Sequence, residues 1–447
     1  MDCRLPLFSV PIRPLVAALV AVLPAALALA EPKYAGWTKV EASREVREIK
    51  ERLREGGQLD KAARDFFEAT VLPQLELDEN RSLIERTRKR IRELALGDVA
   101  DDKAYGEIAL LLAERMTALA RDEQAEPVVR VNAMLLVSEL KSKDGKPWPP
   151  AALALASAAG DKELPVAVRI AALVGVAKHV AAGGGDEAVV KTFGPPVMAI
   201  LAEPTPPDQA VEHDWLASRA LQLVPLLMQP APPKASALLA ALVADEARSI
   251  DLRVRAAAAL GATADAQSGV DAAALVETIR ALAVRALEAE EKATAARRFE
   301  DRYRRGGAAP AGGPAAPPGM AFDGQPLPAF DPLAIPEQAC RRAAWRLFAL
   351  GTAILSADGK QGLATLLGDA GGPAQELARQ LVNEAARIDK TPDEDALLDA
   401  LDSLRPPVPG AKPTQRAPRQ PTPESRDGEE KKPAVDPNAS PFDNPFQ

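Results

Sequence analysis

From Glu126 to Leu140 the chain reads EPVVRVNAMLLVSEL, with apolar residues recurring three and four positions apart. Offsets of three and four line side chains along one side of a helix, so the stretch predicts a helix with one broad buried face. The pattern returns four more times. With Arg130 as reference, its place is held by Arg169, Arg253 and Arg341, and by Ala217 in a weaker copy. The preceding position is Val129, Val168, Leu216, Leu252 and Cys340, and the third position after it is always alanine: Ala133, Ala172, Ala220, Ala256 and Ala344. Four positions after stand Met134, Leu173, Leu221, Ala257 and Trp345; seven after stand Val137, Val176, Val224, Leu260 and Phe348. The alanine admits a neighbouring helix closely, and the larger residues fill the space between. Acid and proline precede the copies, at Glu126-Pro127, Glu163 with Pro165, Asp214, Asp251 and Pro336-Glu337. Both suit the unpaired amides and positive end of a helix N-terminus.

Apolar stretches at 104–121, 150–159, 186–202, 233–247 and 271–299 precede these helices and are read as their partners, giving about five helix pairs. One pair cannot bury its own apolar face, so self-similarity at a few tens of residues predicts a stack. Period-two runs and hairpin signals such as Asn-Gly are missing, so an all-α chain is expected.

The segments VRVNAMLLVSEL, VRIAALVGVAKH, LRVRAAAALGAT and CRRAAWRLFALG resemble the second helix of HEAT repeats, in which an apolar residue, Arg and small residues lead to Leu-Gly. The match is strongest at Leu252 to Gly261, and the resemblance covers roughly residues 100 to 360. It implies an armadillo-like α-solenoid over 100–390, and a style of binding rather than a reaction. It also implies a structural role for Arg130, Arg169, Arg253 and Arg341, since the family's arginine commonly pairs with an acid near the preceding turn. Asp251 and Asp214 can supply that acid, whereas Val128, Ala167 and Ala339 cannot.

A helical preface is expected over 31–99. Val46, Ile49 and Leu53 form one stripe, and a second helix runs from Leu59 to Val71 with Asp60 as its cap. A third follows Asp78 and turns Leu83, Ile84, Thr87, Ile91 and Leu94 inward. Its outward residues, Arg81, Arg86, Arg88, Lys89, Arg90 and Arg92, are the densest basic cluster in the chain. Glu79, Glu85 and Glu93 interleave and stacking aromatics are missing, so a solvated helix face is expected there, not a nucleic-acid patch.

A Pro, Gly and Ala-rich segment at 306–336 interrupts the last helix pair, and its spaced apolar residues include Phe322 and Phe330. Such a loop either folds back over the helices or offers a partner a short motif. Thr391-Pro392-Asp393-Glu394 is a capping box opening a helix over 391–404 that closes the stack. The carboxylates around it lack the Gly and ligand spacing of a calcium loop. Residues 405–447 are Pro-rich and nearly free of aliphatics, as a disordered tail is, and carry Phe442 and Phe446 as candidate anchors.

The net charge of -8 argues against nucleic acid as a general partner. Residues 1–30 read as a secretory signal, with Arg4 and Arg13, an apolar core and Ala28-Leu29-Ala30 as cleavage site. Cleavage after Ala30 and a periplasmic or envelope location are the expectation; an uncleaved anchor, the one route to a membrane, is the alternative. Cys340 then stands alone at an apolar repeat position, as a small buried hydrophobe does. His179 and His213 are the only histidines, without partners at metal-ligand spacing, and no catalytic, phosphate-binding or dinucleotide motif is present. No cofactor, metal or catalytic residue is therefore expected. The leading reading is a non-catalytic, exported scaffold that binds a protein or peptide. The alternative is an enzyme with a site on the concave face, since some HEAT-like proteins are lyases that attach bilin chromophores.

Overall fold

Helices begin in this chain where a side chain can take up the unpaired amides of the first turn. Ser43 accepts from the Val46 amide at 3.1 Å, Asp101 from Ala104 at 2.7 Å, Ser249 from Leu252 at 3.3 Å and Asp393 from Ala396 at 2.7 Å. Pro127, Pro149, Pro233 and Pro336 stand first in other helices, where proline lacks no bond. The computed structural model describes residues 37–183, 187–305, 336–355 and 362–405. Every regular element among the described residues is helical, and their one bridge of strand type, Lys141 to Pro147, closes a turn. The expected signal at 1–30 lies outside the described residues, as do the insertion before Pro336 and the tail after Arg405.

The chain divides into two units, Met1–Thr192 and Phe193–Gln447. The first holds α1 (Trp37–Ala42), α2 (Arg44–Arg54), α3 (Lys61–Phe66), α4 (Ile84–Leu96), α5 (Asp102–Arg121), α6 (Pro127–Glu139), α7 (Pro149–Gly160) and α8 (Val166–Gly183). Here α4, α6 and α8 lie side by side, while α5 and α7 touch each other and pack across them. α8 is the one described helix long and apolar enough to cross a membrane, and half of that stretch is buried inside the unit.

The division falls inside α9 (Glu187–Leu201). The second unit continues with α10 (Ala210–Leu227), α11 (Pro233–Ala244), α12 (Ile250–Thr263), α13 (Ala272–Arg305), α14 (Pro336–Leu355), α15 (Leu363–Leu366), α16 (Gly372–Lys390) and α17 (Glu394–Leu404). One layer runs α10, α12, α14, α16 and the other α11, α13, α17, each helix touching the next of its layer. Neighbours therefore pack in chain order.

The repeat pattern buries as its spacing predicts in the first four copies, where the alanines Ala133, Ala172, Ala220 and Ala256 are all at 0% exposure. Three of the reference arginines share one geometry. Arg130 Nε donates to the Ala120 carbonyl at 3.0 Å, Arg169 to Ala159 at 3.0 Å and Arg253 to Val243 at 2.9 Å. Each carbonyl belongs to the last turn of the preceding helix, where orphan acceptors and the negative end of the dipole face a cation. The partner these arginines share is thus a helix terminus, where the family resemblance implied an acid. The acids bind elsewhere: Asp214 takes Arg248 at 3.0 Å and Asp251 takes Arg346 at 2.7 Å.

The fifth copy departs from the others. Arg341 lies on the surface, 68% exposed, and pairs with Glu337 at 2.6 Å. Trp345 and Phe348, expected inside, are half-buried, whereas Cys340 and Ala344 are buried as expected and Ala339, Ala343, Leu347 and Leu350 are buried with them. The buried face of α14 is thus displaced toward the residues one position earlier while still including Cys340 and Ala344. Glu290 of α13 is the physical reason. It is 4% exposed and receives Arg342 at 2.8 Å and Arg346 at 2.6 Å, and α14 is rotated to deliver both.

Close approach completes the second unit. A Cβ on Gly261 of α12 would stand 2.1 Å from the Ala353 carbonyl oxygen of α14, so only glycine allows these backbones to meet. In the preface, α2 buries Val46, Ile49 and Leu53 as expected. The helix expected to reach Val71 instead widens after Phe66, ahead of Pro73, which has no amide to extend the ladder. Asp78–Leu83 forms tighter turns and α4 starts only at Ile84. Leu83 is consequently exposed and Leu94 half-buried, while Ala95 and Leu96 reach the core.

Candidate binding faces

The basic cluster of the preface is drawn into ion pairs. Arg81 meets Asp78 at 2.6 Å and Glu126 at 2.5 Å, and Arg90 pairs with Glu41 while lying 5.9 Å from the centre of the Trp37 ring. Arg88 and Arg92, one turn apart on α4, converge on Glu139 at the end of α6, at 3.1 and 2.8 Å. Arg88 also donates to Asn132 Oδ1 at 2.7 Å. Burial, together with the charges of Arg88, Arg92 and Lys141, lowers the Lys178 ammonium below its ordinary value, against the pull of Glu139. An open groove of about 620 Å³ lies along these residues, lined also by Leu83, Ile84, Arg86 and Lys89. Glu139 is already engaged twice, so the cluster's evident work is to fasten α4 to α6.

On the second unit the outward side of α10, α12 and α14 carries a different chemistry. Trp215 of α10 is 60% exposed, in a stripe with Val211 at 71% and Leu226 at 53%. Arg219 lies one turn from Trp215, on the same face, and donates to Gln222 at 3.2 Å. On the neighbouring α12, Arg255 holds its guanidinium 4.8 Å from the centre of the Trp345 ring of α14, within reach of a cation–π attraction. Burial lowers the Arg255 pKa; Asp251 raises it and the charge of Arg219 lowers it further. Two tryptophans and two arginines thus run across three adjacent helices, in the order Trp215, Arg219, Arg255, Trp345. Tryptophan and arginine offer large, stiff contact area and planar donors, and they dominate the binding energy of protein interfaces.

The repeat pattern is silent about Trp215, Arg219 and Arg255, and it expects Trp345 inside, where the structure leaves it half-buried. Trp215 sits two positions before the Ala217 reference, and Arg219 and Arg255 two positions after their references. An aromatic at an outward offset was the available signal. The other sequence candidates divide clearly. Arg130, Arg169 and Arg253 fasten helices and Arg341 lies at the surface. Phe322, Phe330, Phe442 and Phe446 lie outside the described residues.

Cys340 is buried, and its thiol donates to the Asp393 carbonyl at 3.2 Å. Burial, then the acids Asp393, Glu290 and Glu337, push its pKa up to about 11, so it stays a thiol near neutral pH and is a poor nucleophile. His213 lies 3.4 Å from Glu203 and 3.3 Å from Arg248, which also bonds Asp214. This buried set ties the start of α10 to the turn before α12. His179, 1% exposed, has its pKa lowered by burial and by the charges of Lys141 and Lys178, against its hydrogen bond to the Leu140 backbone carbonyl. Among the described residues no group of three or more His, Cys, Asp or Glu side chains is placed to hold a metal ion. No family model, curated protein or solved structure matches the chain.

Proposed function

We propose that this chain is a non-catalytic, exported scaffold of HEAT-like helix pairs that binds a protein or peptide segment along the outward side of α10, α12 and α14. The observation that carries the reading is the run of Trp215, Arg219, Arg255 and Trp345 across three adjacent helices. Packing in chain order within each unit supports the repeat architecture, because a stack of pairs exposes one side of every second helix as a continuous surface. The Arg-to-carbonyl fastening, repeated at Arg130, Arg169 and Arg253, supports a common ancestral pair. Net charge of -8 favours a protein partner over nucleic acid. Export rests on the residues at 1–30 and membrane attachment on their retention.

The test is co-purification from the envelope fraction with the full chain and with a Trp215→Ala/Arg255→Gln variant whose circular dichroism and melting match the parent. Truncating a central tryptophan and arginine removes at least about 2 kcal/mol, or roughly thirtyfold in affinity, from an interface they dominate. Partners are expected to be lost with the variant. Recovery of the same partners at the same level would overturn the assignment of this face.

A further inference from the structure

The last residues of the sequence place aromatic and acidic groups in a matching order. Pro441-Phe442-Asp443-Asn444-Pro445-Phe446 holds two phenylalanines four positions apart with a carboxylate between them. The face of the second unit holds two tryptophans with two arginines between them. Three adjacent helices at 8–10 Å spacing put the outer two roughly 16–20 Å apart. Four extended residues cover about 13 Å, and the phenylalanine and tryptophan side chains close the remainder. Asp443 follows Phe442 by one residue, about 3 Å, so with Phe442 against Trp345 it falls at Arg255, whose guanidinium lies 4.8 Å from the centre of that ring.

We propose that Pro441–Phe446 of the same chain docks on the α10–α12–α14 face, with Phe442 against Trp345, Phe446 against Trp215 and Asp443 on Arg255. The inference rests on the assignment of this face as a binding surface and names its resident occupant. Three observations favour this segment over others. The charges are opposite, since Arg219 and Arg255 are close enough for one to depress the other while the segment carries Asp443 and no base. The attachment belongs to the same unit, because α17, the last described helix, lies in its other layer and packs on α13 and on α14, which carries Trp345. The tether suffices: residues 406–440 separate Arg405 from the segment, and a chain of that length covers on the order of 30 Å at random-coil dimensions. Tethering supplies an effective concentration of about millimolar, so a contact too weak to matter between free molecules is largely occupied within one. A partner bearing the same chemistry would then have to displace the segment.

The experiment is contact quenching of bimane by tryptophan in the full chain. In a Cys3→Ser background, Ser440→Cys is labelled with bimane; buried Cys340 stays unlabelled under native conditions. The expected result is quenched emission that does not change with protein concentration. It is recovered in Trp215→Phe/Trp345→Phe, in Arg255→Gln, and in Phe442→Ser and Asp443→Asn, the last two of which cannot disturb the described helices. Salt should weaken the quenching, as it does an exposed ion pair. Emission equal in parent and variants would overturn the docking, and quenching that grows with protein concentration would overturn it in favour of a second copy as the occupant. Neither result touches the capture of a separate partner by the face, which the Trp215→Ala/Arg255→Gln comparison decides.

Discussion

Arg130, Arg169 and Arg253 each reach the closing turn of the helix before them, whereas Arg341, at the matching place in the sequence pattern, reaches solvent. The difference predicts a contrast in stability. Arg253→Ala leaves the Val243 carbonyl without its charged donor and should cost about 1.5–3 kcal/mol in urea melts; Arg341→Ala should cost less than about 0.5 kcal/mol. Equal losses would remove the distinction between the copies. The identity of the arginine's partner was not legible in the sequence, because a carbonyl carries no residue name and the nearby acids Asp214 and Asp251 suggested themselves instead. His179 allows a pH prediction at the same scale. Burial lowers its folded pKa beneath the unfolded value of roughly 6.5. Below that value the unfolded chain takes up a proton that the folded chain resists, so stability is full above about pH 6.5 and is lost as pH falls toward the folded value. Melting temperatures of the parent should fall between pH 7 and 5 more steeply than those of His179→Leu; parallel profiles would contradict this origin.

Elements were legible where periodicity alone sets them. The second helices α6, α8, α10 and α12 bury the predicted apolar offsets, and the arginines buried on three of them are met at the end of the preceding helix. α14 was misread by one residue, and α4 began later than expected. In α14 the competing force is Glu290, a residue distant in sequence that no local pattern connects to Arg342 and Arg346. Removing it tests that account. Glu290→Ala leaves Arg346, itself 7% exposed, with the half-exposed Asp251 in place of a buried carboxylate, and the loss should approach that of a broken buried pair, about 3–5 kcal/mol, only as far as Asp251 fails to compensate. Thermal melts should show that loss, and a triple Glu290→Leu/Arg342→Leu/Arg346→Met variant should recover most of it. If the triple variant melts like the single one, the network serves more than register.

At the scale of the molecule, the all-helical class and the packing of neighbours in chain order could be read before any coordinates, since every predicted pair carried its own apolar face. The binding face could not, because Trp215, Arg219 and Arg255 occupy outward positions on which the repeat imposes nothing and Trp345 stands at an offset the pattern predicts buried. The insertion at 306–336 was placed between two helices of one pair; α13 ends at Arg305, α14 begins at Pro336, and the two pack together. Replacing residues 306–335 with a shorter Gly/Ser linker should therefore change stability by about 1 kcal/mol or less through loop closure. A larger drop on melting would mean that Phe322, Phe330 or their neighbours are buried, at up to roughly 1.5–3 kcal/mol each.

The assignment of the Trp–Arg face is tested most directly by site-specific photo-crosslinking in cells that produce the protein. A benzophenone amino acid is placed at Trp215 on α10 and, as control, at the exposed Ala237 on α11 in the other layer of the same unit. Intermolecular adducts with one or a few defined partners from position 215, and none from position 237, are the predicted result. Adducts from position 237 with none from 215 would contradict it.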